Sequence, residues 1–129
     1  MKRMVSLIGA VVMAFVIVTA VIVADSGTMN HWLGFIHGVP FGDKAGHMLL
    51  AGGLSFFCHL AARGGCVGFV PSRITIVLFV LFALEEASQA FVPSRHFDLM
   101  DLACDFAGLC AGQWLAARLS AGGSVRRAG

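Results

Sequence analysis

The sequence contains no tyrosine, and only 12% of its 129 residues are charged. Soluble domains average about a quarter charged residues. A soluble core of this size could not hold the 58% of residues that are hydrophobic, and the mean hydropathy is +0.87. The composition therefore excludes an ordinary soluble domain. It predicts one small integral membrane domain, with no room for a second domain.

Two kinds of binding site lack their usual sequence signals: a cysteine-based zinc site and a nucleic-acid interface. The four cysteines form no CxxC pair and have no Cys/His spacing suited to zinc, so the sequence assigns no metal site and no known cofactor. Cys58, Cys104 and Cys110 lie in apolar stretches and are interpreted as small hydrophobes. No basic stripe with interleaved aromatics is present, so no nucleic-acid partner is expected.

Four apolar stretches predict an all-α bundle of four transmembrane helices. The first has 21 residues without a charge and would be about 30 Å long, enough to span a bilayer. A signal peptide is the alternative, but its apolar core needs only roughly 7–15 residues, so an uncleaved helix is favoured. Ser72 caps the third helix and Pro93 ends it. The predicted helices are 4–24, 43–62, 74–92 and 98–119, and residues 120–129 are predicted to be a disordered tail.

The distribution of charge predicts the orientation of the bundle. Basic residues near the cytoplasmic ends of membrane helices set topology. Placing both termini in the cytoplasm puts seven of the nine basic residues inside: Lys2, Arg3, Arg63, Arg73, Arg118, Arg126 and Arg127. The connections 25–42 and 93–97 then face outward. We expect a multi-pass protein of the bacterial cytoplasmic (inner) membrane, in contact with the lipid bilayer.

The acidic residues concentrate at the ends of the helices that are predicted to face outward. The stretch from Glu85 to Gly112 holds five of the seven acidic residues. His47, Glu86 and Asp105 would lie about 6, 9 and 10 Å from the outward ends of helices two, three and four. Carboxylates at membrane depth are costly and usually functional. The sequence therefore predicts an outward-facing polar pocket between three helices.

Helical periodicity places these residues on facing surfaces. Asp43 and His47 share one face of helix two, and Glu86 and Gln89 share one face of helix three. On helix four, the residues within about 60° of one another are Asp101, Asp105, Gly108 and Gly112. The glycines match a GxxxG stripe, which lets a neighbouring helix approach closely. Lys44 and Arg95 are the available counter-charges.

Simpler explanations fit some of these positions. Asp43 suits a helix cap, and Asp98 and Asp101 have capping-box-like spacing. Glu85 is interpreted as reaching the outer interface, and His59 as a helix-end histidine near the cytoplasm. No such explanation fits Glu86 and Asp105, which are interpreted as paired, buried, functional carboxylates.

Several spaced motifs resemble those of the VanZ-like family of small membrane proteins. The resemblance covers roughly residues 40 to 115 and includes DKAGH at Asp43, ExxQ at Glu86, P-x-R at Pro93 and DLACDFAGLCAG at Asp101. The family pattern has Asn where this chain has Asp105, and Asp at that depth must be protonated or paired. The family is named for a protein that gives low-level resistance to teicoplanin. The resemblance implies a role in the cell envelope or in glycopeptide-antibiotic resistance, without specifying a reaction.

The leading hypothesis is a pocket for a lipid or lipid-linked ligand, such as an anionic envelope lipid. The proposed catalytic residues are Glu86, Asp101 and Asp105, as general acids or bases or as cation ligands, with His47 as proton carrier. The proposed ligand-binding residues are Asp43, Lys44, Gln89 and Arg95, while Pro93, Gly108 and Gly112 are proposed to be structural.

Two alternatives stay open. In the first, the protein is a non-enzymatic accessory or partner-binding protein. Its polar cluster is then structural, with salt bridges such as Arg95 with Asp101 or Asp98. In the second, weaker alternative, the protein forms an ion or proton pathway. That pathway would need polar residues toward the cytoplasm, where the sequence analysis identifies little beyond His59.

Overall fold

Four helices run in sequence through the computed structural model, which describes residues 2–26, 42–62, 70–93 and 95–125. They are α1 (Lys2–Asp25), α2 (Gly42–Ala62), α3 (Arg73–Gln89) and α4 (Leu99–Val125). Over these described residues, the prediction of an all-helical protein with four helices is confirmed. The predicted connections lie largely outside the described residues, as do residues 126–129.

The helix ends differ from the predicted ones at two places. α3 ends at Gln89 rather than at residue 92. The next residues form tight i to i+3 turns, in which the Val92 N–H donates to the Gln89 carbonyl at 3.0 Å. α4 continues to Val125, although a disordered tail was predicted from residue 120. The side chain of Ser72 accepts a hydrogen bond from the Thr75 N–H, as expected of the cap of α3.

Two of the described helices, α1 and α2, are long and apolar enough to cross a membrane. Mean hydropathy is 3.0 over Arg3–Asp25 and 1.3 over Gly42–Ala62. α1 exposes large apolar side chains along the face turned away from α2, including Val11, Phe15 and Ile22, as suits a helix in contact with lipid. Spanning by α3 and α4, and the orientation of the termini, stay predictions.

α2 lies at the centre of the helix packing. Its most extensive contact is with α4, while α1 packs on α2 and α3 packs mainly on α4. A methyl group added at Gly108 would meet the carbonyl oxygen of Met48, and one added at Gly112 would meet that of Gly52. Both obstacles are backbone atoms, so these glycines allow α2 and α4 to approach closely.

The interior of the bundle is polar and its surface is apolar. The largest fully buried side chains are Leu109 and five polar ones: Gln113, Glu86, Thr75, Asp105 and Ser55. A soluble domain has the opposite arrangement, with apolar side chains inside. This inside-out distribution agrees with a lipid environment. It also places the polar groups at two levels, one toward each end of the bundle.

Candidate functional site

One end of the bundle, called here the acidic end, is where α1 and α3 finish and where α2 and α4 begin. Antiparallel packing brings the first turn of α2, the last turn of α3 and the first turns of α4 together there. All seven acidic residues lie at or near this end: Asp25, Asp43, Glu85, Glu86, Asp98, Asp101 and Asp105. The candidate residues from three separate motifs therefore meet in space.

Lys44 is the central cation of the acidic end. Its Nζ donates to Oδ2 of Asp98 at 2.8 Å and to Oδ1 of Asp101 at 2.9 Å. The Asp101 side chain is only 10% exposed, whereas that of Asp98 is 43% exposed. The Lys44 ammonium, followed by the backbone N–H of Met100, lowers the pKa of Asp98 below its usual value. Lys44 thus joins the start of α2 to the start of α4.

Glu86 is fully buried and has two hydrogen-bond donors. Its Oε1 accepts from the backbone N–H of Asp98 at 2.7 Å, and its Oε2 accepts from Nε2 of Gln89 at 3.0 Å. Asp98 precedes α4 and its Oδ1 accepts from the Met100 N–H at 2.8 Å, as expected of a cap. The capping-box interpretation of Asp101 is wrong, because Glu86 takes the Asp98 N–H while Asp101 pairs with Lys44.

Gln89 connects the carboxylates to Arg95. Its Nε2 also donates to Oε1 of Glu85 at 3.0 Å, and its Oε1 accepts from Nε of Arg95 at 3.1 Å. Glu85 therefore takes part in this network. The turn at Pro93 is closed by the Arg95 N–H, which donates to the Val92 carbonyl at 3.0 Å.

Arg95 makes a different ion pair from the one predicted. Its Nη1 lies 3.8 Å from Oδ1 of Asp25, the last residue of α1. The expected pairing of Arg95 with Asp98 or Asp101 is wrong, because Lys44 holds both carboxylates.

His47 and Asp105 form the deepest contact of the acidic end. His47 Nδ1 lies 3.1 Å from Oδ1 and 3.2 Å from Oδ2 of Asp105, which is fully buried. An ionised carboxylate only accepts hydrogen bonds, so Nδ1 carries the hydrogen of this contact. The Asp105 carboxylate is thus paired with His47, and not with Lys44 or Arg95.

Asp43, His47 and Asp101 form a set of possible metal ligands. One ligand atom from each lies within 4.8 Å of the others. The sequence analysis placed Asp43 and His47 on one face of α2. Periodicity within one helix could not identify Asp101 as the third ligand, because Asp101 lies on another helix. Asp43 lies in the first turn of α2, which begins one residue earlier, at Gly42.

A second polar cluster lies toward the opposite end and was missed by the sequence analysis. His59 is only 3% exposed. Its Nδ1 lies 2.7 Å from the Ser55 carbonyl, and its Nε2 lies 2.7 Å from Oγ of Ser72. Gln113 Oε1 accepts from the Ser72 N–H at 2.9 Å and from the Thr75 hydroxyl at 2.5 Å. This cluster attaches the start of α3 to both α2 and α4.

His59 lies in the last turn of α2, as its interpretation as a helix-end histidine predicted, but it is buried and hydrogen-bonded there. A signal for it existed in the sequence, because Ser55 and His59 are four residues apart and share a face of α2. The prediction that the helix halves opposite the acidic end carry few polar residues beyond His59 is also wrong. Fully buried Ala51 and Leu109 nevertheless lie between the two clusters along α2 and α4. The described residues therefore form two separate polar clusters.

The comparisons with known proteins find no match for this chain. No family model, no curated protein and no solved structure matches it.

Proposed function

We propose that the protein is a multi-pass protein of the bacterial inner membrane, similar to the VanZ-like family, and that its acidic end faces outward. There it binds the anionic head group of an envelope lipid or lipid-linked intermediate. The observation that carries the proposal is the burial of Glu86, Asp101 and Asp105 together with Lys44 at one end of an apolar-surfaced bundle. Charged groups at membrane depth are expensive, and they mark ligand or ion sites more often than they serve as packing.

Arg95 is the best placed residue to bind an anionic head group. A guanidinium has five N–H donors in a planar fork that suits phosphate. In Arg95 one of these donates to Gln89, and the nearest carboxylate, that of Asp25, is 3.8 Å away, beyond hydrogen-bond distance. The remaining donors therefore suit a phosphate oxygen. Lys44 is already engaged by two carboxylates and would mainly hold Asp98 and Asp101 in place.

In a catalytic version of the proposal, His47 transfers protons. Asp105 orients the ring through Nδ1, which leaves Nε2 as the basic nitrogen. The two oxygens of Glu86 already accept from Gln89 and from the Asp98 backbone. Glu86 therefore suits the positioning of Gln89 and of the start of α4 better than proton transfer.

One observation favours the alternative, a non-enzymatic accessory or partner-binding protein. Among the described residues, every buried side-chain nitrogen or oxygen has a hydrogen-bond partner. A structural network has that property too, since it needs no ligand to satisfy its polar atoms.

Ligand capture tests the proposal. Full-length protein is extracted gently from bacterial membranes, and co-purified lipids are identified by mass spectrometry. We expect an anionic lipid with the wild type and its loss with Arg95→Gln. Arg118→Gln is the matched control, because Arg118 lies far along α4, over the ring of Trp114. Equal lipid content in all three proteins would contradict the proposed site.

A functional assay separates a ligand-binding or catalytic site from the structural alternative. Teicoplanin susceptibility is compared in hosts that express the wild type, Glu86→Gln or Asp105→Asn, and membrane insertion is checked for each. Loss of protection with normal insertion supports a ligand-binding or catalytic site. Loss of insertion in both variants supports the structural alternative. A C-terminal reporter tests the orientation, and a periplasmic signal would refute cytoplasmic termini.

A further inference from the structure

We propose that Asp43, His47 and Asp101 bind one divalent transition-metal cation at the acidic end. Asp43 and His47 are four residues apart on α2 and therefore share a face. Asp101 completes the set from the first turn of α4. The three ligand atoms lie within 4.8 Å of one another.

The observed spacing needs only a small adjustment to surround an ion. Ligand atoms about 2.1 Å from a tetrahedral zinc ion are about 3.4 Å apart. Asp43 is exposed and makes no hydrogen bond or ion pair with the described residues. Its side chain can therefore rotate toward the other two ligands without breaking a contact.

The surroundings of His47 favour metal binding through Nε2. Asp105 holds Nδ1, and this carboxylate–histidine arrangement fixes the ring and increases the basicity of the ligating nitrogen in metal sites. Nε2 has no hydrogen-bond partner among the described residues. Because no buried side-chain nitrogen there lacks a partner, Nε2 must be accessible rather than buried.

Asp101 brings a largely buried carboxylate to the set, because its side chain is only 10% exposed. Oδ1 accepts from Lys44, while Oδ2 has no partner among the described residues. Lys44 holds this carboxylate in place, and because no buried side-chain oxygen among the described residues lacks a partner, Oδ2 must be accessible. A largely buried, oriented carboxylate close to the imidazole is what distinguishes this set from a group of exposed acids.

The charge balance of the acidic end also favours a cation. Seven carboxylates lie there, and the permanently charged bases among the described residues of this end are Lys44 and Arg95. One imidazole nitrogen and two carboxylate oxygens suit Zn²⁺, Mn²⁺ or Fe²⁺. Three protein ligands leave a position open, where a phosphate oxygen of the head group would bind. That last role rests on the proposed function, whereas metal binding itself does not.

Calorimetric titration of full-length protein in detergent micelles tests the inference, with Zn²⁺ alone as the probe after removal of bound metal by chelation. We expect one equivalent to bind the wild type and Asp43→Asn to weaken the affinity about tenfold or more. Asp43 is exposed, so this variant should fold normally, which circular dichroism checks. Asp98→Asn is the carboxylate control and His96→Gln is the exposed-histidine control; both should retain the site.

Each outcome of the titration either supports or overturns the inference. A single saturable site that Asp43→Asn weakens and the two controls preserve supports the inference. No saturable binding, or equal weakening in Asp43→Asn and Asp98→Asn, overturns it. The lipid content of the same preparations keeps the two proposals distinct: lost zinc binding with retained anionic lipid would refute only the metal site.

Discussion

The close approach of α2 and α4 yields the sharpest prediction, the effect of Gly108→Ala. A Cβ at Gly108 would overlap the carbonyl oxygen of Met48, and it would lie 3.0 Å from both the carbonyl carbon and the Cα of that residue. These are backbone atoms, which cannot rotate away as a side chain can. The two helices must therefore separate locally. Forcing an extra methyl group into a packed contact costs about 1–3 kcal/mol.

Gly46→Ala is the matched control. It lies on α2 near the same end, and a Cβ there would meet nothing within 4 Å. Both substitutions gain about 0.5–1 kcal/mol from replacing glycine in a helix, so this gain cancels in the comparison. We expect the free energy of unfolding of Gly108→Ala to be about 1–3 kcal/mol lower than that of Gly46→Ala.

The assay is unfolding by SDS in mixed micelles, followed by circular dichroism. Separation of α2 from α4 should also weaken the contact between His47 and Asp105, which lies within one turn of Gly108. The imidazole resonances of His47 should therefore shift in Gly108→Ala but not in Gly46→Ala. Equal stability of the two variants would refute the packing argument.

Four further predictions follow from individual contacts. Asp105→Asn should change the free energy of unfolding by no more than about 1 kcal/mol, because the amide oxygen still accepts from His47; a larger loss would show that the charge itself is required. Lys44→Gln should destabilise the protein by about 1–3 kcal/mol, because it leaves the Asp101 carboxylate without its cation, and Asp43→Asn should change stability much less. Thr75→Val should cost about 1–3 kcal/mol by removing the donor to Gln113, whereas Thr19→Val, which removes only a hydrogen bond to its own exposed helix, should be nearly neutral. Lys44 lowers the pKa of Asp98 in the folded protein. The stabilisation from this pair is therefore present above pH 3.8, the ordinary pKa of an aspartate, and is lost as the pH falls through the lower pKa of the folded state. Acid titration should destabilise the wild type more steeply than Asp98→Asn.

The two polar clusters contribute differently to the bundle. Buried hydrogen-bonded groups add directional contacts, which matter where lipid supplies no hydrophobic force between helices. The cluster of His59, Ser72 and Gln113 has partners for its buried atoms and lies at the junction of three helices, so it suits a structural role. At the acidic end, by contrast, Asp43, His47 and Asp101 have side-chain atoms without a hydrogen-bond partner among the described residues. The acidic end is therefore the better candidate for ligand binding.

The sequence by itself determined the helices and the depth of their polar residues. Apolar runs and turn residues are local signals, so four helices could be predicted with ends mostly correct within a few residues. The acidic residues of α3 and α4 could be placed at one end because rise per residue converts sequence position into depth. Glu86 and Asp105 stood out for the same reason, since no cap or interface explains them.

Only the tertiary structure decided which of these groups pair. Sequence spacing describes one helix at a time, whereas pairing depends on how helices cross and rotate about their axes. The salt bridge suggested for Asp101 from the sequence was with Arg95, whereas the packing of α2 on α4 pairs Asp101 with Lys44. The same packing assigned Asp105 to His47 and brought Asp101 beside Asp43. No role was predicted for Gln113, and only the packing of α3 on α4 brought it together with Ser72 and Thr75.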